Sequence, residues 1–282
     1  MEKISKNILN QVIIPRKPES YKGNYGKILI IAGSTNFGGA AILCSSAAIN
    51  SGAGLVTVAT TPEKFTAINT RIPEAMTIDY FNKQELLTAI LNNTVIAIGP
   101  GLGISSTARG LIKTVLNNTI TGQTVILDAS ALTLIAEEKI PLQTTAHVIM
   151  TPHQGEWQRL SNLPISEQTI DNNLKQLQGI DSKAILILKK HLSEIYYKDQ
   201  VFQIQAGNSG MATGGMGDTL TGIIAGFIGQ FGYSLKTVAA ALLLHSTIAD
   251  QLNQKEYVVL PSKIINKLPK YMAKFSQLTG EK

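Results

Sequence analysis

A glycine-rich segment that ends at a carboxylate is the part of this sequence whose residue types and spacing most directly predict chemistry. Residues 207–220 read GNSGMATGGMGDTL, and Asp218 stands just before an apolar segment with helical spacing. Because glycine lacks a Cβ, consecutive backbone N–H groups can converge on one anion, and the positive end of the following helix adds to the attraction. The segment therefore predicts a phosphate site.

Asp218 is the unexpected member of this segment, because a phosphate repels a carboxylate that has no task beside it. The plausible task is to take a proton from a hydroxyl group that attacks or leaves next to the phosphate. The alternative is an ordinary helix N-terminus with an acidic residue in its first turn. Four glycines between Gly210 and Gly217 argue against that alternative, since a cap needs only one.

Two further glycine-containing turns follow predicted strands. Residues 33–41 read GSTNFGGAA, whose small side chains allow a ligand to lie against the backbone, although close packing of a helix on a sheet accounts for them equally well. Residues 99–103 read GPGLG, which is not the dinucleotide-binding pattern G-x-G-x-x-G. The sequence contains no Walker A pattern, so these turns alone are weak predictors of function.

Residues 151–156, TPHQGE, combine a predicted helix start with a histidine. Thr151 and Gln154 match a capping box, and Pro152 suits the first helical position. His153 would then lie in the first turn, where a neutral imidazole can hydrogen-bond a substrate, and a surface histidine without such a role is the equally weighted alternative. His153 and Glu156 can face the same side of the helix, but two ligands make a weak case for a metal, so no metal site is predicted.

Residues 189–193, KKHLS, follow another predicted strand and offer cations and a hydroxyl group at the same edge of the sheet. An ordinary solvated turn is the alternative. In an open α/β sheet, ligands bind where the strands end and the loops begin. The glycine-rich turns, His153 and this basic turn are therefore expected to share one edge.

The elements that would position these residues alternate between strands and helices. Near-continuous apolar runs, typical of parallel strands buried on both faces, cover residues 27–32, 55–59, 95–99, 124–128, 147–150 and 184–188. Segments of helical length lie between them at 38–51, 105–117, 131–138 and 152–160, and three more follow at 219–231, 235–253 and 262–275. This order predicts an α/β fold with a doubly wound, mostly parallel sheet.

Residues 196–202, YYKDQVF, predict a hairpin that turns near Lys198 and Asp199, and hence an antiparallel edge on the sheet. The sequence shows no linker, low-complexity tract or internal repeat. We therefore expect residues 1–282 to form a single domain.

Composition limits the classes of function. With 282 residues, of which 44% are hydrophobic, the chain can bury a sizeable core, and its single cysteine, Cys44, excludes an internal disulfide framework. No signal peptide precedes the first strand and no apolar run reaches the ~18 residues that span a bilayer, which predicts a cytoplasmic protein without a membrane role. The net charge of +6 favours anionic partners. Because the basic residues are scattered, small phosphorylated ligands fit better than nucleic acid.

Taken in order, the motifs resemble those of one enzyme family, the ADP- or ATP-dependent NAD(P)H-hydrate dehydratases of the ribokinase-like superfamily. They are KGNYGK at 22–27, IAGS at 31–34, GGAA at 38–41, SGAGLV at 51–56, GPGLG at 99–103, LDAS at 127–130, TPHQGE at 151–156 and GNSGMATGGMGDTLTG at 207–222. The GGxGD element alone indicates only the superfamily, whereas SGAGLV and TPHxGE indicate the dehydratase branch. The resemblance covers about residues 22–250 and implies a three-layer α/β/α sandwich that assembles as a homotetramer.

The resemblance also implies a reaction. Hydrated NADH or NADPH, which carries a hydroxyl group on its saturated ring, would return to the working dinucleotide while ADP becomes AMP and phosphate. Phosphoryl transfer to that hydroxyl turns a poor leaving group into a good one. ADP is the preferred donor, ATP the alternative, and Mg²⁺ is expected with the phosphates, although the sequence offers no cage of acidic ligands.

Positions in the family motifs imply the site residues. Asp218 would be the base and would contact the hydrate together with Ala40, Gly103 and His153. The anion hole would be formed by the backbone of Gly214, Gly215, Met216 and Gly217. The adenine nucleotide would be held by Lys189, Lys190, His191, Leu192, Ser193 and Gly217.

The chain departs from the family pattern at two places. Lys189-Lys190-His191 replaces the usual Lys-Gly, and Met216 stands where Thr or Ser is commoner, which removes a hydroxyl group without removing backbone donors. The epimerase that serves the same substrate belongs to a separate domain. Two alternatives stay open: a kinase of the same superfamily that acts on a vitamin-precursor alcohol, and a nucleotide sensor without turnover, which the carboxylate of Asp218 disfavours.

Overall fold

One sheet of ten strands runs through residues 1–277, the part of the chain that this computed structural model describes. In chain order the strands are β1 Glu2–Lys3, β2 Lys27–Ile31, β3 Leu55–Thr60, β4 Met76–Asp79, β5 Val95–Ile98, β6 Thr124–Leu127, β7 His147–Met150, β8 Ile185–Leu188, β9 Glu194–Tyr197 and β10 Gln200–Gln203. Their order across the sheet is β1-β10-β9-β8-β7-β6-β5-β2-β3-β4.

The helices follow the strands in alternation. They are α1 Ile8–Val12, α2 Gly38–Asn50, α3 Phe65–Arg71, α4 Lys83–Asn92, α5 Ser106–Asn118, α6 Ser130–Glu137, α7 Gln154–Ser161, α8 Ile170–Asp181, α9 Met216–Phe231, α10 Leu235–Asn253 and α11 Pro261–Gln277. Within residues 1–277, no helix is both long and apolar enough to cross a bilayer.

The central strands β2 to β8 pair in parallel, which confirms the predicted α/β class and mostly parallel sheet. Chain order reverses at β2, which lies between β5 and β3. Loops on the two sides of such a reversal diverge and leave a crevice at the carboxyl ends of the strands, where ligands bind in open α/β sheets. The turns after β2 and β5, which contain residues 33–41 and 99–103, lie at this point.

Two hydrophobic cores lie on opposite faces of the sheet, and alternation along β2 shows why. Ile28 and Ile30 pack in the core that contains α2, α9 and α10, whereas Leu29 and Ile31 pack in the core that contains α5 and α6. Successive side chains of a strand point to opposite faces, so a strand that is apolar at every position needs cover on both. The result is a helix–sheet–helix sandwich.

The predicted strands and the predicted hairpin agree with the structure to within one or two residues at most boundaries. β9 and β10 pair antiparallel, with Lys198 in the turn at φ 55°, but the edge beyond them is formed by β1, which pairs in parallel with β10. Strands β1 and β4 were not predicted, because two residues carry no periodicity and β4 is only half-buried. Helices α1, α3, α4 and α8 were not predicted either.

The predicted start of α7 is wrong. The helix begins at Gln154, and the N-cap is His153, whose capping box is completed by Glu156. Thr151 does not cap the helix, because its buried hydroxyl donates to Asp128 at 2.7 Å. Pro152 consequently lies before the helix and not at its first position.

Candidate active site

The ends of three neighbouring strands bring together an acid, a hydroxyl group and a cation. Asp128 follows β6, Thr151 follows β7 and Lys189 follows β8. The Oδ1 atom of Asp128 accepts hydrogen bonds from Thr151 Oγ1 at 2.7 Å and from Lys189 Nζ at 2.9 Å. Asp128 is 1% exposed, so this is a buried ion pair at the edge where ligands are expected.

Helix α9 begins beside this ion pair. Gly215 is its N-cap with φ +87°, and the backbone N–H groups of Met216, Gly217 and Asp218 find no acceptor among the residues that the structure describes. A Cβ placed on Gly217 would lie 3.3 Å from Lys189 Nζ, so the open amides and the ammonium group are neighbours. We call the backbone of residues 214–217 the glycine cradle.

The first turn of α9 also carries the candidate base. Asp218 is half-buried, and Thr221, one turn later, donates its hydroxyl to Asp128 Oδ2 at 2.8 Å. Burial and, secondarily, the negative charge of Asp128 raise the pKa of Asp218 to about 6, against a smaller opposing effect of Lys189. A carboxyl group with that pKa is ionised near neutral pH and still has appreciable proton affinity, as a general base requires.

The ion pair itself resists titration. Burial alone would raise the pKa of Asp128, but the Lys189 ammonium and the hydrogen bonds from Thr151, Lys189 and Thr221 hold it below its ordinary value. Burial alone would lower the pKa of Lys189, yet Asp128 and then Glu156 hold it above its ordinary value. Both groups therefore stay charged at neutral pH, and the ammonium group is available to an anion.

A cavity of about 580 Å³ opens beside the glycine cradle. The predicted nucleotide-site residues Lys189, Lys190, His191, Ser193 and Gly217 line it. The same cavity is also lined by His153, which was predicted to contact the hydrate, and by Gly207, Asn208, Met216, Leu220, Leu242 and His245. Leu192, Gly214, Gly215 and Asp218 are not among the described residues that line it. Its size and its mixture of apolar walls and cations suit a nucleotide.

The predicted substrate residues Ala40 and Gly103 lie at the crevice after β2 and β5. A Cβ placed on Gly101 would lie 2.7 Å from the Cβ of Ala40, and Gly33 N donates to Pro100 O at 2.8 Å, so the two turns are in contact. Gly103 has φ +71°, its N–H donates to Ser130 Oγ at 3.0 Å, and a Cβ placed there would meet no atom within 4 Å. Open space therefore borders Gly103.

His153 lines the cavity, with its Nε2 atom 3.6 Å from Oε1 of Glu156. Its Nδ1 atom accepts hydrogen bonds from the N–H groups of Gly155 at 3.0 Å and Glu156 at 3.1 Å. A neutral imidazole that accepts at Nδ1 carries its proton on Nε2, so Nε2 is a donor. The side chain is 56% exposed, which leaves that donor accessible to a ligand.

Lys190, which also lines the cavity, is held by a buried chain of polar groups. Lys190 Nζ lies 2.6 Å from Oε1 of the buried Glu194, whose Oε2 accepts from the hydroxyl group of Tyr196. Asn173 Nδ2 donates to that hydroxyl oxygen at 2.9 Å, and Trp157 Nε1 donates to Asn173 Oδ1 at 2.7 Å. The ammonium group of Lys190 is thus fixed in place and its charge is largely neutralised.

Three contributors to the site were not predicted from the sequence. Asp128 and Thr221 lie inside the quoted motifs LDAS and GDTLTG, but no role was predicted for either. Asp250 of α10 accepts from Gly207 N with both oxygens, each at 3.1 Å, and from Asn208 Nδ2 at 2.8 Å, which anchors the start of the glycine-rich segment. An acidic residue directly after an apolar strand was the available signal for Asp128.

The described residues offer no protein cage for a metal. No group of three or more His, Cys, Asp or Glu side chains within residues 1–277 is arranged to hold an ion. Three donors already occupy the oxygens of Asp128. These side chains therefore do not fit a resident magnesium ion held by protein ligands alone.

Comparisons with known proteins place the chain among enzymes of one family. A family model described as NAD(P)H-hydrate dehydratase matches residues 28–270. A protein of Enterococcus faecalis named ADP-dependent (S)-NAD(P)H-hydrate dehydratase is 46% identical over 278 residues, which cover 98% of this chain and 94% of the relative.

Solved structures agree in fold over nearly the whole chain. A ribokinase-like superfamily protein from Enterococcus faecalis superposes with a TM-score of 0.94 at 44% identity and covers 98% of this chain and 96% of that one. The Bacillus subtilis ADP/ATP-dependent NAD(P)H-hydrate dehydratase, co-crystallised with ATP and Mg²⁺, superposes with a TM-score of 0.86 at 28% identity and covers 97% and 98% of the two chains.

Proposed function

The chain belongs to the NAD(P)H-hydrate dehydratase family, and from this premise we propose that it dehydrates the S form of hydrated NADH and NADPH at the expense of ADP. The main structural support for this proposal is the arrangement of groups around Gly217. The open amides and Asp218 belong to the first turn of α9, and the Lys189 ammonium lies beside Gly217 of that turn. This arrangement binds a phosphoryl group and supplies a base beside it.

The reaction divides into two steps. In the first, Asp218 takes the proton of the ring hydroxyl group, the hydroxyl oxygen bonds to the terminal phosphorus of the nucleotide, and the bridging P–O bond breaks to release AMP from ADP. In the second, the C–O bond breaks, phosphate leaves with the electron pair, and the neighbouring ring carbon loses a proton to restore the double bond. The glycine cradle and Lys189 stabilise the charge that develops on the phosphoryl oxygens.

The cavity beside the cradle supplies the nucleotide side of the site. Lys189, Lys190, His191 and Ser193 line a space of about 580 Å³ that Gly217 also lines. Leu192 of the same turn stays a proposed contact of the nucleotide, although it is not among the described residues that line the cavity. A nucleotide bound in this cavity directs its terminal phosphate to the open amides of α9.

The hydrate occupies the crevice on the other side of the cradle. Gly103 borders open space after β5, Ala40 lies on the adjoining turn after β2, and the Nε2–H of His153, which lines the cavity, donates to the substrate. In this arrangement the ring hydroxyl group approaches the cradle from the crevice while the phosphoryl donor approaches from the cavity. Asp218 lies between them and contacts the hydrate.

ADP is the proposed donor, because the relatives with 40–46% identity carry the name ADP-dependent. The Bacillus subtilis enzyme was co-crystallised with ATP and Mg²⁺, so ATP is the second donor to test. Since the described residues do not fit a magnesium cage, the ion would enter on the phosphate oxygens of the nucleotide. No step above depends on it.

We further propose that residues 1–282 form one domain and that the protein is a cytoplasmic homotetramer that acts on small molecules, with no nucleic-acid or membrane partner. The single ten-stranded sheet supports one domain, and the free, buried Cys44 suits a reducing compartment. Light scattering after size-exclusion chromatography measures the mass of the assembly. A monomer or dimer would contradict the tetramer.

The reaction is tested by supplying hydrated NADH with ADP, with ATP or without nucleotide. We expect the absorbance band of reduced nicotinamide to recover only with nucleotide, one phosphate to be released for each NADH formed, and ADP to be the better donor. A stable phosphorylated product would instead indicate a kinase. Nucleotide binding without any product would indicate a sensor.

A further inference from the structure

Asp128 lies at the centre of the polar groups that surround the start of α9. It is almost completely buried, and its two oxygens accept hydrogen bonds from Thr151, Lys189 and Thr221. These donors come from the ends of two strands and from the first two turns of α9. A carboxylate with three donors and no exposure is far more ordered than a surface side chain.

The backbone next to Asp128 is strained, which indicates that the position of Asp128 is constrained by the surrounding structure. Ala129, the following residue, has φ 48° and ψ −118°, a conformation that residues with a Cβ rarely adopt. A Cβ placed on Gly99 of the neighbouring strand end would overlap the carbonyl oxygen of Asp128. Strain of this kind persists where the surrounding structure requires it, and it concentrates at functional sites.

The first effect of this placement is on Lys189. A lysine side chain is flexible, and a free ammonium group at the edge of a cavity samples many positions. The contact of 2.9 Å with Asp128 confines Nζ to a point beside Gly217, at the open amides of α9. The contact with Asp128 therefore sets the position at which the Lys189 ammonium would meet a bound phosphoryl group.

The second effect is on the charge around Asp218. Asp128 from β6 and Lys189 from β8 are the charged groups that act on it. From α2, the Cys44 thiol is neutral because burial raises its pKa, and from α10, His245 is neutral because burial and Lys189 lower its pKa to about 4. Glu156 of α7 acts on Lys189. Among these elements, only the ion pair supplies charge to Asp218 at neutral pH.

We propose that Asp128 is a positioning residue of the reaction. It fixes the Lys189 ammonium at the glycine cradle, and its fixed negative charge opposes ionisation of the Asp218 carboxyl group. The proposal rests on the proposed function, in which Asp218 is the base. Without the charge of Asp128, Asp218 would be a weaker base, and Lys189 would no longer be held at the transferring phosphoryl group. Both changes slow the step that forms the bond to phosphorus.

The direct test is the Asp128→Asn variant, which keeps the shape of the side chain and an oxygen for Thr151 and Lys189. We expect the acid limb of the pH–rate profile to move to lower pH and the plateau of kcat to fall by about tenfold or more. The Kd of ADP should stay within about threefold of the wild-type value or decrease, because Lys189 loses its neutralising partner. An unchanged acid limb together with a lower Tm would show that Asp128 serves the fold alone.

A second comparison keeps the test valid if an unpaired lysine prevents Asp128→Asn from folding. The double variant Lys189→Met with Asp128→Asn removes both charges, so the buried site is left without an unpaired ion. Its acid limb should still lie at lower pH than that of the wild type, because Asp128 acts on Asp218 more strongly than Lys189 does. The same acid limb in both would overturn the proposed electrostatic role.

A measurement without the hydrate separates this inference from the proposed function. In protein labelled with ¹³C at the aspartate carboxyl carbon, the signal lost in Asp218→Asn identifies Asp218, and its pH titration is followed in wild type and in Asp128→Asn. We expect the midpoint to move to lower pH in the variant. A shift without dehydratase activity in the wild type would refute the proposed function only, whereas activity without a shift would refute the role of Asp128.

Discussion

Gly222 of α9 packs directly on Cys44 of α2, so closely that a Cβ on the glycine would overlap the Cys44 carbonyl oxygen. The same Cβ would lie 2.8 Å from the Cβ of Ala47. The helix that carries Asp218 therefore has a fixed separation from its neighbour, set by the absence of one methyl group. Rigid support of this kind keeps catalytic groups within the narrow tolerance that chemistry requires.

Gly222→Ala should destabilise the protein, because the added methyl group forces α2 and α9 apart. We expect a loss of about 1–3 kcal/mol in the free energy of unfolding, measured by urea denaturation. The matched control is Gly110→Ala in α5, where a Cβ meets no atom within 4 Å. The control should be stabilised by about 0.5–1 kcal/mol. Equal effects at the two positions would contradict the close packing.

Asp218→Asn should lose turnover and keep nucleotide binding. The amide has the size of the carboxyl group but no useful proton affinity, so turnover should fall by on the order of 10²- to 10⁴-fold. ADP should bind as well as before or more tightly, because a negative charge beside the phosphate is removed. Single-turnover kinetics and calorimetric titration of ADP measure the two effects. Near-normal turnover would exclude Asp218 as the base.

The same variant should be more stable than the wild type at high pH. Because the pKa of Asp218 is raised to about 6 in the folded protein, folding favours the protonated form, and stability is lost as the pH rises through that value. Asparagine removes this loss, which we expect to be about 1–2 kcal/mol above pH ~7 after allowance for solvent screening. Tm measured across pH should show the gain vanish towards pH ~4. A gain in stability that does not depend on pH would show that the raised pKa of Asp218 is not its cause.

His153→Ala should weaken use of the hydrate and also shorten or loosen α7, since the imidazole is the N-cap. His153→Asn separates the two effects, because asparagine caps well but does not carry the Nε2 donor to the same place. We expect both variants to lose activity with the hydrate, while only alanine costs about 1 kcal/mol of stability. The Kd of ADP should stay within about threefold in both. A large loss of ADP binding would show that the two sites are assigned in reverse.

Lys190 and Glu194 should be coupled in stability. Lys190→Met leaves a buried carboxylate without its cation and should cost about 2–4 kcal/mol, whereas Lys190→Met combined with Glu194→Gln should recover much of that loss. Glutamine still accepts the hydrogen bond from Tyr196. A double-mutant cycle by chemical denaturation measures the coupling. Additive effects of the two substitutions would show that the ion pair contributes nothing.

The central sheet was predictable because its strands are apolar at almost every position, as in residues 184–188, and short runs of this kind between turn residues are typical of strands buried on both faces. The glycine-rich start of α9 was predictable for a similar reason, since closely spaced glycines let backbone N–H groups converge, whereas anion binding by these groups stays a prediction. The pairing of Asp128 with Lys189 was not predictable. It depends on β6, β7 and β8 being neighbours, which is a property of the whole sheet and not of either motif.

The start of α7 shows why local signals can mislead. Threonine followed three residues later by glutamine is a good capping box, but the Thr151 hydroxyl is committed to a buried carboxylate from another strand. Meeting the hydrogen-bonding needs of a buried charge outweighs a cap at the protein surface. His153 takes over as the cap, a role in which an imidazole is uncommon.

The open amides at the start of α9 affect how the sequence can change over time. The side chain of Met216 packs against the core, while its N–H group belongs to the glycine cradle. Substitution at this position is therefore limited by fit against the core and along the cavity that Met216 lines, because every residue except proline presents the same backbone donor. Replacement of the methionine by another residue that fits therefore keeps the backbone donor, whereas an exchange in a site built from side chains removes the donor itself.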